Sequence, residues 1–367
     1  MAATLNLGNG NWGVKEDSLL GYNSENENYK PLPFDFTRAS SATVVNKQGL
    51  IETVQSGIPR IDFSDDVNGA LLLEPQSTNL IPYSEDFSNA SWVKVAGAIT
   101  SNVGISPDGT LNADRFYSAV SASNTRTYSN YTFSAATYTF SVYAKKNGSN
   151  NYFRFSISDS SGQTFTPDFQ LTNEWQRFEY TYTSTGGSGS WWVVNPSTSE
   201  LSSEFDVLIY GAQLEQSSYA TSYIPTQGAI STRLAETCSG GGSDQVINST
   251  EGVLYAEISA LANDLSSKYI TLSDGTNSKR IIIATTGTSN QVRVQVVDTS
   301  SQIEIFSTLS NITTLNKLAF SFKQNEFKFY VNGVLEGTDT SGTVPSGLNV
   351  LKFSNADNNV PFYGNTK

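Results

Sequence analysis

The sequence predicts an all-β protein in which an extended N-terminal arm and a small β-module precede two antiparallel β-sandwiches. Three observations predict it. Charged residues are only 15% of the chain while 5 Trp, 18 Tyr and 20 Phe are present, a balance that favours half-buried strands. Short runs of alternating apolar and polar residues recur between Gly-, Asn- and Ser-rich turns. At 367 residues the chain suits two or three domains, each able to bury its own core.

Composition also excludes function classes. A net charge of -12 argues against duplex nucleic acid or an anionic membrane as partner, since both need a basic surface. The absence of histidine removes the imidazole base of Ser-His-Asp and Cys-His catalysis, and the commonest zinc ligand. Cys238 is the only cysteine, so no intrachain disulfide or thiolate metal cluster can form. No window approaches the ~18 apolar residues of a membrane span. The start, MAATLNLGNGNW, lacks a basic region followed by an apolar core, so neither membrane insertion nor a secretion leader is expected.

Residues 1–35 are turn-rich and partly extended, yet Trp12, Leu19, Leu20, Tyr22, Tyr29 and Phe34 are too apolar for a plain linker. The arm is expected to order against a partner. Residues 36–75 read as a small β-module, with a hairpin of 43–45 and 50–54 and further strands at 59–63 and 71–73. The run Leu71-Leu72-Leu73 stops at Glu74-Pro75, because proline cannot donate to a ladder. From 76 to 227 strands recur at 137–145, 151–158, 175–182, 189–194 and 205–214. In the first of these Tyr138, Phe140, Val142 and Ala144 face one way and Thr139, Ser141 and Tyr143 the other. Residues 228–249, with Ser239-Gly240-Gly241-Gly242-Ser243, have the composition of a flexible linker. From 250 to 367 a second sandwich is expected, its clearest hairpin turning at Asn332-Gly333.

Arg38-Ala39-Ser40-Ser41-Ala42-Thr43, Gly49-Leu50-Ile51-Glu52, Pro59-Arg60-Ile61-Asp62-Phe63 and Leu73-Glu74-Pro75-Gln76-Ser77-Thr78-Asn79-Leu80 together resemble a module recurrent in tailed-bacteriophage virion proteins. Gly211-Ala212-Gln213-Leu214-Glu215 and Tyr219 to Thr226 resemble the exit of a carbohydrate-binding-module-like jelly roll. Leu318 to Phe322 with Phe327 to Gly333 resemble a concanavalin-A/laminin-G-like sandwich. The resemblance implies two jelly rolls in a fibre or appendage at the particle surface. It further implies a homotrimer, attachment to other virion proteins through the arm, and a host-surface glycan as ligand. It also implies that a last strand should pair back beside the first strand of the second sandwich. The chain stops at Phe362-Tyr363-Gly364-Asn365-Thr366-Lys367 where that strand is due, so the sandwich is expected either to lack it, the preferred reading, or to have its edge completed by another chain.

Sugar sites use exposed rings for apolar sugar faces and amides or carboxylates for hydroxyls. Trp191 and Trp192 are the leading ring candidates, one of the pair expected inward and the other outward, with Tyr128 and Tyr131 behind them. No cofactor is required. The resemblance implies a structural Ca²⁺ between the first-strand region and the last strand of the first jelly roll, where Asp86 and Glu215 fall, although no Asp-x-Asp-x-Asp-Gly loop is present. Without a catalytic motif the chain is read as no enzyme. The alternatives are a purely structural virion component and a glycan depolymerase, the latter needing two carboxylates in one cleft about 5–10 Å apart.

Overall fold

The computed structural model describes residues 34–367 other than 245 and 246. It also describes the backbone of three earlier strands, Trp12–Lys15, Ser18–Asn23 and Asn28–Pro31, while the side chains of Trp192 and Val193 are not described. The three early strands form an antiparallel meander, so the arm has more regular structure than its turn-rich sequence suggests. Its proposed role in attachment rests on side chains outside the described residues. Among the described residues no helix is long and apolar enough to cross a membrane. The fold is all-β.

The chain divides into two compact units, one from Gln48–Thr53 and Gln76–Arg233, the other from Val54–Pro75 and Leu234–Lys367 with the chain up to Lys47. The Gln76–Arg233 unit is a jelly-roll sandwich. One sheet orders Trp92–Val95, Arg126–Phe133, Gly187–Pro196, Tyr152–Asp159 and Gly162–Phe165; the other orders Ala98–Ile105, Leu111–Ser118, Phe205–Glu215, Thr137–Lys146 and Gln176–Thr183. Between the sheets lie Phe116, Phe140, Phe155, Trp191 and Phe205, all buried.

The strand Thr137–Lys146 alternates as expected, but it is not half-solvated. Thr139 and Ser141, on the face opposite Phe140, are also buried. The chain returning through 217–221 covers that face: Thr139 Oγ1 donates to the Ser217 carbonyl at 2.9 Å, and Arg177 donates to Ser141 Oγ at 2.9 Å and to the Thr221 carbonyl at 2.7 Å. Hydroxyls are buried here because each has a partner.

The second unit is also a sandwich. Its seven-stranded sheet orders Val334–Asp339, Glu326–Val331, Asn316–Lys323, Glu251–Ala260, Gly364–Thr366, Ala70–Leu73 and Arg60–Asp62; the facing sheet orders Ser300–Thr308, Gln291–Asp298, Lys279–Thr285, Tyr269–Ser273 and Val350–Lys352. Along Asn316–Lys323 the residues Leu318, Phe320 and Phe322 point into the core and Lys317 and Lys323 to solvent, the period-2 pattern of a strand with one wet face.

Three expectations about organisation are corrected. The last strand is present: Gly364–Thr366 pairs antiparallel with Ile258 to Ala260 on one side and Leu71 to Leu73 on the other. Glycine is required at 364, where a Cβ would sit 2.0 Å from the Ser259 carbonyl oxygen. The module expected at 36–75 does not stand apart either, because its strands Ala70–Leu73 and Arg60–Asp62 extend the second sandwich's own sheet. Both faces of Ala70–Leu73 are buried, which explains its unbroken apolar run. Residues 228–249 are no free linker. Ser231–Arg233 pairs with Ser77–Asn79, Thr237–Ser239 pairs with Asp35–Thr37, and Cys238 is buried. The glycines there allow close approach, since a Cβ on Gly241 would meet the Phe34 ring at 2.4 Å while its backbone pairs with Leu351.

Truncation after Tyr363 tests the closing strand. Removing 364–367 strips the edges of Glu251–Ala260 and Ala70–Leu73 and deletes the 2.6 Å ion pair of Lys367 with Asp66. Unpaired edges promote association. The truncated protein is expected to unfold at lower urea concentration and to scatter light. A soluble protein with an unshifted midpoint would refute the pairing.

Candidate functional site

In the Gln76–Arg233 unit, the segment entering the first sheet and the segment leaving the last strand are tied together by polar side chains. Asn79 is fully buried and makes four bonds: its Nδ2 donates to the carbonyls of Ala212 (3.0 Å) and Ile224 (2.9 Å), and its Oδ1 accepts from the backbone of Ile81 (3.1 Å) and Leu214 (3.2 Å). Further on, Ser84 N donates to Thr226 Oγ1 at 3.0 Å and Thr226 N donates to Ser84 Oγ at 2.8 Å. An isolated bridge joins Tyr83 to Gln227. These bonds fix residues 83–88 beside 225–227.

The third wall comes from an irregularity in the pairing of Ala98–Ile105 with Leu111–Ser118. The register shifts between Thr100 and Gly104, and Asn102 sits at φ 57°, a left-handed conformation that Asn tolerates. The shift turns Ser101 and Asn102 out of the ladder. Their turn is held by Asp114, whose Oδ1 accepts from Asn102 N at 3.0 Å and whose Oδ2 accepts from Phe87 N at 2.9 Å.

The result is a cavity of about 480 Å³ lined by Tyr83, Glu85, Asp86, Ser88, Ser101, Asn102, Asn112, Asp114, Pro225, Thr226 and Gln227. That volume lies within the ~300–1,000 Å³ of small-molecule sites. Burial pushes the Asp114 carboxyl up to about 6; its bonds to Asn102 and Phe87 oppose the rise, the nearby Asp86 charge adds to it, and Lys94 opposes it. Lys94 serves the wall rather than the cavity, its ammonium donating to the carbonyls of Ser88, Asn89 and Trp92 at 2.7, 2.7 and 2.9 Å. Glu85 Oε1 accepts from the Tyr223 hydroxyl at 2.9 Å and lies 3.1 Å from the Tyr210 hydroxyl. Burial, and then the charge of Glu85, raise the pKa of both phenols.

The six residues singled out from sequence fall in different places. Trp191 is 1% exposed, stacked on Phe140 at 5.4 Å and edge-on to Phe133 at 5.6 Å. It is the inward member of its pair and offers no face to a sugar, because its register partners Ser129 and Ile157 set it on the inner side of the sheet. Trp192 pairs in register with Tyr128 and Ser156, and its side chain lies outside the described residues. Tyr131 packs on the core, edge-on to Phe133 at 5.0 Å, which removes it as a free platform. Tyr128 lies under the Arg126 guanidinium, 5.4 Å from its ring centre. None of these four lines the cavity.

Asp86 does line it, but Glu215 does not. The two do not form a metal centre. Glu215 is fully buried, and its carboxylate accepts from Ser77 Oγ at 2.6 Å, from Thr221 N at 3.0 Å and from the Thr221 hydroxyl, so it locks the returning chain. Asp86 Oδ1 accepts from Ser88 N (3.1 Å), Ser88 Oγ (2.6 Å) and Asn89 N (3.1 Å), closing an Asx-type turn. Among the described residues no three acidic or cysteine side chains converge on a point that could hold a metal ion. The cavity as a whole was missed from sequence, because its third wall depends on a register shift between Thr100 and Gly104 that no local pattern marks.

No protein-family model matches the sequence, and comparison with curated proteins gives no match. Solved structures give distant likenesses. The CBM22-1–GH10 modules of Clostridium thermocellum endo-1,4-β-D-xylanase 10B, complexed with xylohexaose, match over 41% of this chain and 30% of that one, at 16% identity and a TM-score of 0.30. The match thus spans less than a third of that structure. The CBM22-1–CBM22-2 tandem of Paenibacillus barcinonensis Xyn10C matches over 77% and 90%, at 9% identity and 0.32. Domains LG4-5 of the mouse laminin α1 chain match over 75% and 88%, at 10% identity and 0.26.

Proposed function

We propose that this chain is a non-enzymatic carbohydrate-binding protein displayed on a phage particle, and that the cavity beside Asp86 and Asn102 holds the sugar. The observation that carries the binding reading is the lining: carboxylates, amides and hydroxyls around a single ring, Tyr83, in a space of small-molecule size. Sugars present dense hydroxyls with short apolar faces, and this wall matches both. Placement on a virion, attachment through the arm and assembly as a homotrimer are supported by the motif resemblance at 38–43, 49–52, 59–63 and 73–80. Several copies on one particle would turn weak single-site binding into firm attachment to a host-surface glycan.

Saturable binding of the full chain on a glycan array, followed by titration of the best sugar, tests this reading. Asn102→Gly, which keeps the left-handed backbone at 102, and Gln227→Ala remove exposed amides from the cavity without touching either core. Each is expected to weaken binding by about 0.5–1.5 kcal/mol, the net worth of one hydrogen bond. A folded protein that binds no glycan, or binds with both variants unaltered, would remove the cavity from consideration.

A further inference from the structure

The charge lining the cavity is lopsided: Glu85, Asp86 and Asp114 are acidic and no lining residue is basic. Glu85 spends Oε1 on the two tyrosine hydroxyls and Asp86 spends Oδ1 on its turn, so Glu85 Oε2 and Asp86 Oδ2 are engaged by no donor among the described residues. Asn112 donates through Nδ2 to Asp108 Oδ2 at 3.0 Å, while its Oδ1 is buried without a partner. These three atoms are all acceptors, two of them anionic. No Lys or Arg lines the cavity, and Lys94, the cation beside it, has its ammonium turned onto three carbonyls. Among the described residues no three acidic side chains form a group that could hold a metal ion.

Resting on the carbohydrate reading above, we infer that the cavity selects a sugar bearing a free ammonium group, an amino sugar, over neutral and anionic sugars. An ammonium carries three donors and a positive charge, which matches the two unengaged carboxylate oxygens of Glu85 and Asp86. An uronate, sialate or phosphate would face Glu85 and Asp86 with like charge and no cation in the lining, the charge of Lys94 already acting on Asp86 and Asp114. An N-acetyl group replaces the charged donor by a neutral amide and forgoes the attraction of the two carboxylates.

The test is isothermal titration of the full chain with a glucosamine oligomer, its N-acetylated counterpart and an uronic-acid oligomer of the same length. The amine is expected to bind about tenfold or more tightly than the acetylated form, the scale of one charge-assisted hydrogen bond. Asp86→Asn keeps an acceptor for its turn and Glu85→Gln keeps one for the tyrosines, so both are designed to fold. Each should bring the amine down toward the neutral sugar. Equal affinity for amine and acetylated oligomers, or tightest binding of the uronate, would overturn the selectivity and leave carbohydrate binding standing. A preference for the amine that survives both variants would reassign it to the overall charge of -12. Binding that appears only with Ca²⁺ and vanishes with chelator would replace the ammonium by a metal. Failure of all three oligomers and of the glycan array together would remove the carbohydrate reading itself.

Discussion

Glu236→Ala should destabilise the unit containing Leu234–Lys367 by about 3–5 kcal/mol, the cost of leaving buried charges without their counter-ion. Glu236 is 1% exposed and lies at the centre of a buried cluster. Its Oε1 accepts from Arg38 at 2.6 Å and Arg60 Nε at 2.8 Å, and its Oε2 accepts from Arg60 at 2.6 Å and from Glu74 N at 2.9 Å. Arg60, itself fully buried, also donates to Glu74 Oε2 at 2.8 Å and to the Thr43 carbonyl at 2.8 Å. Burial alone would lower the Arg60 pKa, but the two glutamates more than reverse it, so the guanidinium stays charged. Alanine at 236 removes the carboxylate that Arg38 and Arg60 share and leaves Arg60 its pair with Glu74. Glu236→Gln, which keeps the shape and one acceptor, should cost less.

Cys238 provides the readout for this unit. It is the only cysteine, is 2% exposed, and burial pushes its thiol up to about 12, so a thiol reagent labels it only after opening. Labelling against urea concentration should shift to a lower midpoint in Glu236→Ala. A shift worth less than about 1 kcal/mol would mean that the cluster is dispensable, as some buried ion networks are when repacked.

That cluster shows where sequence reading stops. Arg38, Arg60 and Glu74 lie within the quoted motifs, yet Glu236 is 198 residues from Arg38, inside a stretch whose glycines read as linker. Nothing local marks it. The Asn332-Gly333 hairpin was legible because both residues take positive φ, 50° and 85°, as its tight turn requires. The alternation of Asn316–Lys323 was legible because one face is wet. The closing strand Gly364–Thr366 was not, since Gly, Asn and Thr carry little strand signal and its pairing is decided by partners about 100 and 300 positions earlier in the chain. Glu215 misled for a related reason. It entered as a calcium candidate through the resemblance alone, whereas here hydroxyls from Ser77 and Thr221 bond to its carboxylate. The cavity depends on a register shift and a left-handed Asn102, which only the folded pairing reveals.

Trp191→Ala is expected to cost about 3–5 kcal/mol by opening a void in the core of the Gln76–Arg233 unit. The indole is stacked on Phe140 and flanked edge-on by Phe133, so its loss strips contacts from both rings, and Phe140 in turn meets Phe155 at 4.9 Å. Its Nε1 has no hydrogen-bond partner, so no polar bond is lost and the effect should be one of volume. Trp191→Phe should therefore recover most of the stability. The pair of variants separates two explanations of any loss of sugar binding. If Trp191 acted as a stacking platform, the alanine variant would lose binding while keeping its unfolding midpoint. From its place in the core, alanine should lower the midpoint sharply, and phenylalanine should restore both midpoint and binding. An alanine variant with an unshifted midpoint would contradict the buried position of this ring.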